Sequence, residues 1–421
     1  MRSWPTPFLP ELPDTGTRPV VRLHDSASGG LVEVPLGPVT GLYVCGITPY
    51  DATHLGHAAT YVTFDVLNRA LRDAGHTVRY VQNVTDVDDP LLARAARDGV
   101  DWVHLADRET ALFREDMTAL SVVPPEHYLG VTESVDLIVA DILRLCAADA
   151  AYSVATSESA GEDVYLDLAR CPSFGELAGL TRAQMLVLSA ERGGDPERPG
   201  KRDPLDPLLW RAERVDEPSW DGGDLGRGRP GWHIECTAIA LEHLGIPFAV
   251  QGGGTDLVFP HHEMSAAQGC ALAGERTFAQ VYVHQAMVGY QGAKMSKSKG
   301  NLVLVSALRA RGVDPAAIRL ALLAHDHRTE WEWTDADLVA AERRLHAWRT
   351  ALSRNGGPAA LGLVAAVRDR VADGLDTPGA LDAVDEWVAG ALVAAGSAQD
   401  LDPGAPGLVA RAIDRLLGVR L

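Results

Sequence analysis

Apolar and polar positions between residues 41 and 71 predict a strand, a loop and a helix, in that order. A short apolar run ends at Cys45 and Gly46, and polar residues then follow as far as Asp51. Beyond them, apolar residues recur at helical spacing, at Tyr61, Phe64, Leu67 and Leu71. The pattern therefore places the His-x-Gly-His motif of residues 54–57 in the first turn of the helix.

A second apolar run, at residues 77–81, predicts the next buried strand. Strand, helix and strand at this spacing are typical of a parallel βαβ unit. The run leads into the polar stretch 83–89, at the carboxyl end of the strand, where open α/β sheets bind ligands. An Asx-rich turn that caps the following helix explains the same residues, and both interpretations can hold.

From about residue 100 to 225 the pattern is mixed, and it predicts an insertion between two halves of a nucleotide-binding sheet. Helical stretches at 107–120 and 135–145 alternate with loops, among them the charged, Gly- and Pro-rich stretch 191–201. The second half then returns with a helical run to Leu244, an apolar strand at 247–250 and a further strand at 279–283. Three consecutive glycines follow the first of these strands, and glycines there let the backbone approach a ligand closely.

Apolar stripes at helical spacing beyond residue 301 predict a C-terminal helical bundle. The stripes are Leu338, Ala341, Leu345, Trp348 and Leu352; Val364, Val367 and Val371; and Leu381, Val384, Val388 and Leu392. The predicted fold is therefore α/β, a Rossmann-type parallel-sheet domain with an inserted connective region and a C-terminal helical bundle. The expected units are an N-terminal arm at 1–40, the first half of the sheet domain at 41–110, the insertion at 111–225, the second half at 226–305 and the bundle at 306–421.

Composition narrows the class of protein. With 421 residues, 46% of them hydrophobic, the chain is globular and long enough for two or three domains. No run approaches a membrane span and the N-terminus lacks a signal-peptide pattern, which predicts a cytoplasmic protein. The formal charge of −19 gives no general attraction to nucleic acid or anionic lipid, although it does not exclude a local basic patch. Five widely spaced cysteines favour reduced thiols, some as metal ligands, over a disulfide framework.

Two short motifs are candidates for phosphate chemistry. His54 and His57 share a face at a helix N-terminus, which attracts anions, although such histidines are also ordinary capping or surface residues. Gly56 between them leaves room for a flat ligand against the backbone. The second motif, KMSKS at 294–298, is flanked by glycines, and every lysine of the chain except Lys201 lies in it or directly after it. Flexible ammonium groups on such a loop suit a polyphosphate that must be held and then released.

In order and separation, the two motifs resemble the His-x-Gly-His and Lys-Met-Ser-Lys-Ser signatures of class I aminoacyl-tRNA synthetases. The resemblance implies a Rossmann-type catalytic domain that activates a carboxylate with ATP, giving an acyl-adenylate and pyrophosphate.

Three thiol and imidazole side chains are candidate zinc ligands: Cys45, Cys236 and His261 each lie near a predicted strand end or helix start. Their spacing is not that of a metal-binding motif. Taken singly, each cysteine is a small buried hydrophobe and His261 a helix-start residue.

Residues 43–46, 83–86, 231–236 and 259–263 resemble fragments of cysteinyl-tRNA synthetase. This resemblance implies that Cys45, Cys236 and His261 bind zinc and that zinc binds the thiol of the substrate. The synthetase has a glutamate ligand where this chain has Ser265, which leaves an open position that Glu263 or water could fill.

Other departures from the synthetase indicate a narrower family. Residues 47–49 differ from its usual Pro-Thr-Val, and the tail after the lysine motif is short for a full anticodon-binding domain. Residues 45–57 and 191–196 instead resemble signatures of the mycothiol-biosynthesis ligases that join L-cysteine to glucosaminyl-inositol, and the likeness covers nearly the whole chain. It implies cysteinyl-adenylate formation followed by attack of the 2-amine of the sugar.

The resemblance also implies roles for individual residues. Charge on the phosphates is stabilised by four catalytic side chains, His54, His57, Lys294 and Lys297. Trp232 walls the cysteine pocket, residues 254–256 meet the nucleotide sugar and Val288 offers backbone groups to adenine. Residues expected to contact cysteinyl-adenylate or ATP are Cys45, Gly46, Ile47, Thr48, Thr60, Asn83, Val84, Thr85, Trp232, Gly254, Thr255, Asp256 and Val288.

Cofactors and partners follow from the same resemblance. One Zn²⁺ per chain and ATP with Mg²⁺ are expected, with L-cysteine and glucosaminyl-inositol (GlcN-Ins) as the other substrates. A monomer is expected, with no nucleic acid or membrane partner. The sequence does not identify the base of the second step, and loop 191–196 is either a sugar contact or a structural turn.

Two rival functions remain at this point. A cysteinyl-tRNA synthetase would need a basic domain that reads tRNA, and the tail has no extended basic cluster. A non-catalytic nucleotide- or zinc-binding paralogue would have little need for both phosphate-handling motifs.

Overall fold

The computed structural model describes residues 1–16, 18–51, 53–295, 301–394 and 401–421. Its strands are short, and those of the central sheet come from both halves of the chain. The strands are β1 (Arg22–His24), β2 (Leu31–Glu33), β3 (Thr40–Val44), β4 (Val78–Val84), β5 (His127–Gly130), β6 (Ala151–Ala155), β7 (Glu162–Leu166), β8 (Leu208–Ala212), β9 (Trp220–Asp221), β10 (Arg227–Pro230), β11 (Phe248–Gly254), β12 (Ala279–Gln285), β13 (Val288–Tyr290), β14 (Ala293–Lys294) and β15 (Trp331–Glu332).

Helices separate these strands and make up most of the chain after residue 301. The helices are α1 (Leu55–Asp73), α2 (Asp89–Asp98), α3 (Trp102–Ala119), α4 (Val135–Ala147), α5 (Arg182–Glu191), α6 (Trp232–Leu244), α7 (Glu263–Ala273), α8 (Val305–Ala310), α9 (Pro315–Leu323), α10 (Asp335–Leu352), α11 (Leu361–Ala372), α12 (Thr377–Ala394) and α13 (Ala405–Ala412). None of the helices in the described ranges is long and apolar enough to cross a lipid bilayer.

A five-stranded parallel sheet in the order β12-β11-β3-β4-β5 forms the centre of the fold, which confirms the predicted α/β class. The chain leaves β3 toward β4 on one side, and β11 lies on the other side. The carboxyl ends of β3 and β11 therefore form a topological switch point, where ligands bind in open α/β sheets.

Helices cover both faces of this sheet. α1 packs between the sheet and the C-terminal helices α9 and α11, while α6 packs on the opposite face against β3 and β4. The apolar positions of α1 that predicted a helix are all buried, with Phe64 and Leu67 at 1% and 0% exposure. Burying apolar residues on both faces is what near-continuous apolar strands such as β3 require.

Two predicted strands are longer than their apolar runs indicated. β4 continues through Asn83 to Val84, and β11 continues through all three glycines to Gly254. The polar stretch after β4 also caps a helix, because the Asp88 side chain accepts a hydrogen bond from Asp89 N at 2.8 Å. The ligand-edge and capping interpretations of residues 83–89 are therefore compatible.

The mixed region contains two different structures. β5 falls within residues 111–225, predicted to be an insertion, yet it pairs in parallel with β4, so the central sheet extends past residue 110. The chain then forms a five-stranded sheet in the order β6-β7-β8-β10-β9, whose paired strands are antiparallel. The domain boundaries as a whole stay a prediction.

The C-terminal stripes are buried except at their last residues Leu352 and Leu392, which are partly buried. Trp348, Val364 and Leu381 each have 0% exposure. This region also contains a two-residue strand, β15, which pairs in parallel with β13 and so joins the start of the bundle to the strand that carries Val288.

An ionic network joins α1 to the end of the chain. The Asp65 carboxylate of α1 accepts hydrogen bonds from Arg69 Nε at 2.7 Å and from Arg319 Nη2, and all three side chains are buried. Burial opposes its charge, but Arg69 and Arg319 outweigh burial and lower the pKa of Asp65. The two guanidinium groups also donate to the carbonyls of Asp414 and Leu417, so this charged cluster fixes the last residues against α1.

Candidate active site

The start of α1 is shaped by its two histidines. His54 is the N-cap, and its Nδ1 accepts from His57 N at 3.3 Å. The two rings stack with centroids 3.8 Å apart. A Cβ at Gly56 would lie 2.9 Å from His54 Cε1, so the space that glycine leaves is filled by the His54 ring rather than left for a ligand. Both imidazoles thus sit at a helix N-terminus, where backbone N–H groups favour anions.

The chain that follows the lysine motif returns to this helix start. Leu55 N donates to Val303 O at 2.9 Å, and Val305 N donates to Thr53 O at 3.0 Å. Before the motif, β14 pairs with β13 as an antiparallel hairpin. The two segments that flank the motif are therefore placed, whereas Lys297 lies outside the described residues, as does the side chain of Lys294.

An ion pair between a buried carboxylate and a partly exposed guanidinium supports the same segment. Asp116 Oδ1 of α3 accepts from Arg309 Nη1 of α8 at 2.6 Å. Burial raises the pKa of Asp116 to about 6, against the opposing effects of the Arg309 charge and the Thr53 hydroxyl.

The free energy of unfolding should depend on pH through the protonation of Asp116. Between about pH 4 and pH 6 the folded chain keeps a proton on Asp116 that the unfolded chain has lost, so its contribution to stability falls as pH rises through this window. Relative to Asp116→Asn, the wild type should lose about 2 to 3 kcal/mol between these limits and no more above them. Urea unfolding of both proteins from pH 4 to pH 8 measures the difference, and parallel profiles would contradict it.

The loops after β3 and β4 are tied together by one amide side chain. Asn83 Oδ1 accepts from Gly46 N at 2.8 Å, and Asn83 Nδ2 donates to Thr85 Oγ1 at 3.1 Å. Thr85 N donates in turn to Ile47 O at 3.0 Å. A Cβ at Gly46 would lie 1.6 Å from Asn83 O, so only glycine fits here. The predicted adenylate contacts at 45–48 and 83–85 thus lie side by side at the switch point.

Three candidate metal ligands meet at the same point. The ligand atoms of Cys45, Cys236 and His261 lie within 4.8 Å of one another, and all three residues are buried. Burial, followed by the neighbouring Cys45, raises the pKa of Cys236 well above its ordinary value. Two thiols and an imidazole at this separation form a donor set that suits zinc. Burial disfavours a thiolate here, and the positive charge of a bound cation would stabilise it.

Aromatic and imidazole contacts orient His261. Its ring stacks on Trp232, the first residue of α6, with centroids 4.6 Å apart and an interplanar angle of 21°. Its Nδ1 lies 3.0 Å from His233 Nδ1. Burial, with a smaller effect of His261, lowers the pKa of His233 well below its ordinary value. Trp232 therefore walls this cluster, next to the position predicted for the cysteine side chain.

Sequence reasoning missed a chain of hydrogen bonds behind Cys45. Cys45 Sγ lies 3.2 Å from His262 Nε2, His262 Nδ1 lies 2.8 Å from His284 Nε2, and His284 Nδ1 lies 2.6 Å from Ser26 Oγ. Burial and the neighbouring imidazoles lower the pKa of His262 well below its ordinary value, and burial lowers that of His284 to about 4. This series of hydrogen bonds allows two proton arrangements. In one the Cys45 thiol donates to His262, and in the other the Cys45 sulfur accepts from His262.

Glu263 does not supply a fourth ligand. Its Oε1 accepts from Gly175 N at 2.7 Å and its Oε2 from Ala178 N at 2.8 Å, so both oxygens are engaged by a loop of the preceding region. Ser265 is also directed elsewhere, since its hydroxyl donates to His233 O at 3.3 Å. Of the two fillers proposed for the open position, Glu263 and water, only water remains.

The other predicted contacts lie on β11, on the turn after it, on β13 and on α1. Gly254 ends β11 next to β3, and Thr255 and Asp256 form the turn that follows. Val288 opens β13 and is buried. Thr60 lies on α1, one turn after the histidines, with its hydroxyl donating to Gly56 O at 3.2 Å.

Comparison with known proteins agrees with this geometry. The family described as tRNA synthetases class I (C) catalytic domain matches residues 35–343. Two full-length relatives are named L-cysteine:1D-myo-inositol 2-amino-2-deoxy-alpha-D-glucopyranoside ligase. The one from Streptomyces avermitilis is 59% identical and the one from Cellulomonas flavigena 60% identical, each over 421 residues and 100% of both chains.

Solved structures with a similar fold are more distant in sequence. Methionyl-tRNA synthetase of Mycobacterium tuberculosis in complex with methionyl-adenylate has a TM-score of 0.63 at 16% identity, covering 90% of this chain and 92% of that one. The leucyl enzyme of Agrobacterium radiobacter in a ternary complex has a TM-score of 0.64 at 11% identity, covering 91% and 84%. These two similarities concern the fold.

Proposed function

Because the chain belongs to the class I (C) tRNA synthetase catalytic-domain family, and within it to the L-cysteine:1D-myo-inositol 2-amino-2-deoxy-alpha-D-glucopyranoside ligases, we propose that it joins L-cysteine to the amine of glucosaminyl-inositol. ATP is consumed, and AMP and diphosphate are released. The structural observation that carries the proposal is the meeting of Cys45, Cys236 and His261 at the switch point beside the start of α1.

In the first step, an oxygen of the cysteine carboxylate attacks the α-phosphorus of ATP and diphosphate leaves. Negative charge then has to be stabilised on the phosphates. We assign this role to His54 and His57. Their position at the N-terminus of α1 supports the assignment, and the return of residues 303–305 to Thr53 and Leu55 supports a position of the lysine motif nearby. We assign Lys294 and Lys297 to the same phosphates, with Mg²⁺ as the metal that accompanies ATP.

Cysteine is selected by the metal site. Cys45, Cys236 and His261 would hold Zn²⁺, and the bound metal would supply a site that favours a thiolate sulfur over a hydroxyl. His262 supports Cys45 from behind, and Trp232 limits the pocket beside His261.

In the second step, the 2-amine of the sugar attacks the adenylate carbonyl, forms the amide and expels AMP. The amine must lose a proton to become a nucleophile. Asn83 and Thr85 lie at the end of β4, and Asp256 lies in the turn after β11. We assign these three residues, with Gly46, Thr48 and Val288, to the adenylate.

We further propose that the enzyme works as a cytoplasmic monomer without nucleic acid. The absence of lysine from residues 306–421 and the acidic overall charge support a small-molecule acceptor over tRNA. The same proposal keeps the predicted domain boundaries and assigns β5 to the central sheet. The units are residues 1–40, 41–110, 111–225, 226–305 and 306–421.

The function is tested by measuring cysteine- and ATP-dependent AMP release with glucosaminyl-inositol and with tRNA side by side. AMP and an amide product should appear with the sugar alone. Cysteine-dependent exchange of diphosphate into ATP should occur without either acceptor.

Charging of tRNA alone would instead identify a cysteinyl-tRNA synthetase. Absence of diphosphate exchange from metal-loaded protein would contradict the catalytic role altogether and favour a binding protein.

A further inference from the structure

The loop at residues 191–196, a candidate sugar contact in the sequence, has a backbone that fits few other residues. It begins at Glu191, the last residue of α5, and Gly193 has a φ of +84°. A Cβ at Gly194 would lie 2.2 Å from Ser189 Oγ and 2.8 Å from Ser189 O. The two glycines thus allow the chain to turn tightly back along the end of α5.

A second contact fixes the far side of this loop. Asp195 Oδ2 accepts from Tyr165 Oη at 2.5 Å, and Asp195 Oδ1 accepts from Lys201 Nζ at 2.8 Å. Lys201 itself is nearly buried, with 3% of its side chain exposed. The loop is therefore anchored to β7 and does not depend on the active site for its shape.

Arg192 is the side chain that this loop directs toward the site. Its Nη1 donates to Asp256 O at 2.5 Å and to Phe259 O. These two carbonyls belong to the segment between the nucleotide-sugar turn and His261. A guanidinium group gives charge-assisted hydrogen bonds, which are stronger than neutral ones.

The other end of the same segment is held by Glu263, whose carboxylate accepts from Gly175 N and Ala178 N. The chain between Asp256 and Glu263 is thus fixed by two elements of the preceding region, one at each end. Between the two anchors lie His261 and His262, which reach the cluster from one short stretch of chain.

We propose that Arg192 is a positioning residue that sets the segment 256–261 for metal binding and nucleotide binding at once. The role rests on the proposed function, because it assigns Asp256 to the nucleotide and His261 to the metal. Both bonds leave one nitrogen, so lysine could keep part of the contact. It should replace arginine only in part, because its ammonium is a more strongly hydrated charge on a flexible stem.

The test compares Arg192→Met and Arg192→Lys with Arg182→Met. Arg182 is the first residue of α5, pairs with the Asp203 carboxylate at 2.8 Å and is half exposed. Zinc affinity is measured by chelator competition without substrates, and KM for ATP and for cysteine by diphosphate exchange. Arg192→Met should bind zinc about 10- to 100-fold more weakly, as expected for loss of a group that orients a ligand, and should raise both KM values. Arg192→Lys should fall between it and the wild type.

A purely structural role would give a different result. It would lower the melting temperature of Arg192→Met while leaving its zinc affinity and KM values equal to those of Arg182→Met, and this would overturn the proposal. If Arg192→Met does not fold, a folded Arg192→Lys with unchanged zinc affinity overturns it equally. Zinc affinity is read without catalysis, so failure of wild-type diphosphate exchange would count against the proposed function and not against this inference.

Discussion

Cys236→Ser should lose tight metal binding and, with it, the preference for cysteine over serine. Cys236 is one of two thiols in a cluster whose ligand atoms lie within 4.8 Å of one another, and a hydroxyl is a far poorer zinc ligand than a thiolate. Zinc sites of four ligands contribute roughly 10 to 16 kcal/mol, so loss of one thiolate should weaken binding by about 100-fold or more. Metal content after dialysis, chelator competition and diphosphate exchange with cysteine and with serine measure these effects.

Cys171→Ser is the matched control. Cys171 is also a buried free thiol, but its Sγ lies 3.5 Å from Ala267 O and it does not belong to the cluster. It should retain the metal and the selectivity for cysteine. Equal metal affinity in Cys236→Ser and Cys171→Ser would show that the cluster is not the metal site.

The three metal ligands could be predicted from the sequence only in part. Cys45 and Cys236 are far apart in the chain, and no spacing rule joins them to His261. Only resemblance to a known family pointed to the three together. The structure explains their meeting, because β3 and β11 are neighbours in the sheet and α6 packs against β3 and against the segment Val258–His262 that follows β11.

The sequence did not predict the residues that contact the cluster from behind. His262 follows a predicted ligand, and that adjacency was the available signal. Its partner His284 lies at the end of β12, and Ser26 comes from the turn between β1 and β2. Three elements distant in the chain meet in one line of hydrogen bonds, and periodicity carries no information about such contacts.

Glu263 is a residue that the sequence offered as a metal ligand and that the structure engages elsewhere. A carboxylate two residues from His261 was a reasonable fourth ligand until its partners were known. The loop at 175–178 uses both oxygens, and that loop has no pattern in the sequence that would indicate where it docks. β5 escaped prediction for a related reason, since a four-residue strand between helices leaves almost no periodic signal.

Asp65→Ala should cause the largest loss of stability among single substitutions outside the candidate active site. Asp65 is the buried carboxylate between Arg69 and Arg319, and its Oδ1 also accepts from Val123 N at 2.7 Å. Removing it leaves two guanidinium groups without their counter-ion. Burial already lowers the pKa of Arg319 to about 10, even with Asp65 present. Breaking a buried ion pair by deleting one partner costs about 3 to 5 kcal/mol.

Urea unfolding at pH 7 should show that loss, with Asp373→Ala as the control. Asp373 pairs with Arg22 at 2.9 Å on the surface, where both side chains are about half exposed, and an exposed pair contributes less than about 1 kcal/mol. The pKa of Asp65 is lowered in the folded chain, so its contribution is present above the unfolded pKa of about 4 and is lost as pH falls below it. The difference between wild type and Asp65→Ala should therefore shrink in acid. Equal losses in the two variants at pH 7 would mean that the cluster around Asp65 does not hold the chain end against α1, because removing its central charge would then cost no more than removing a solvated one.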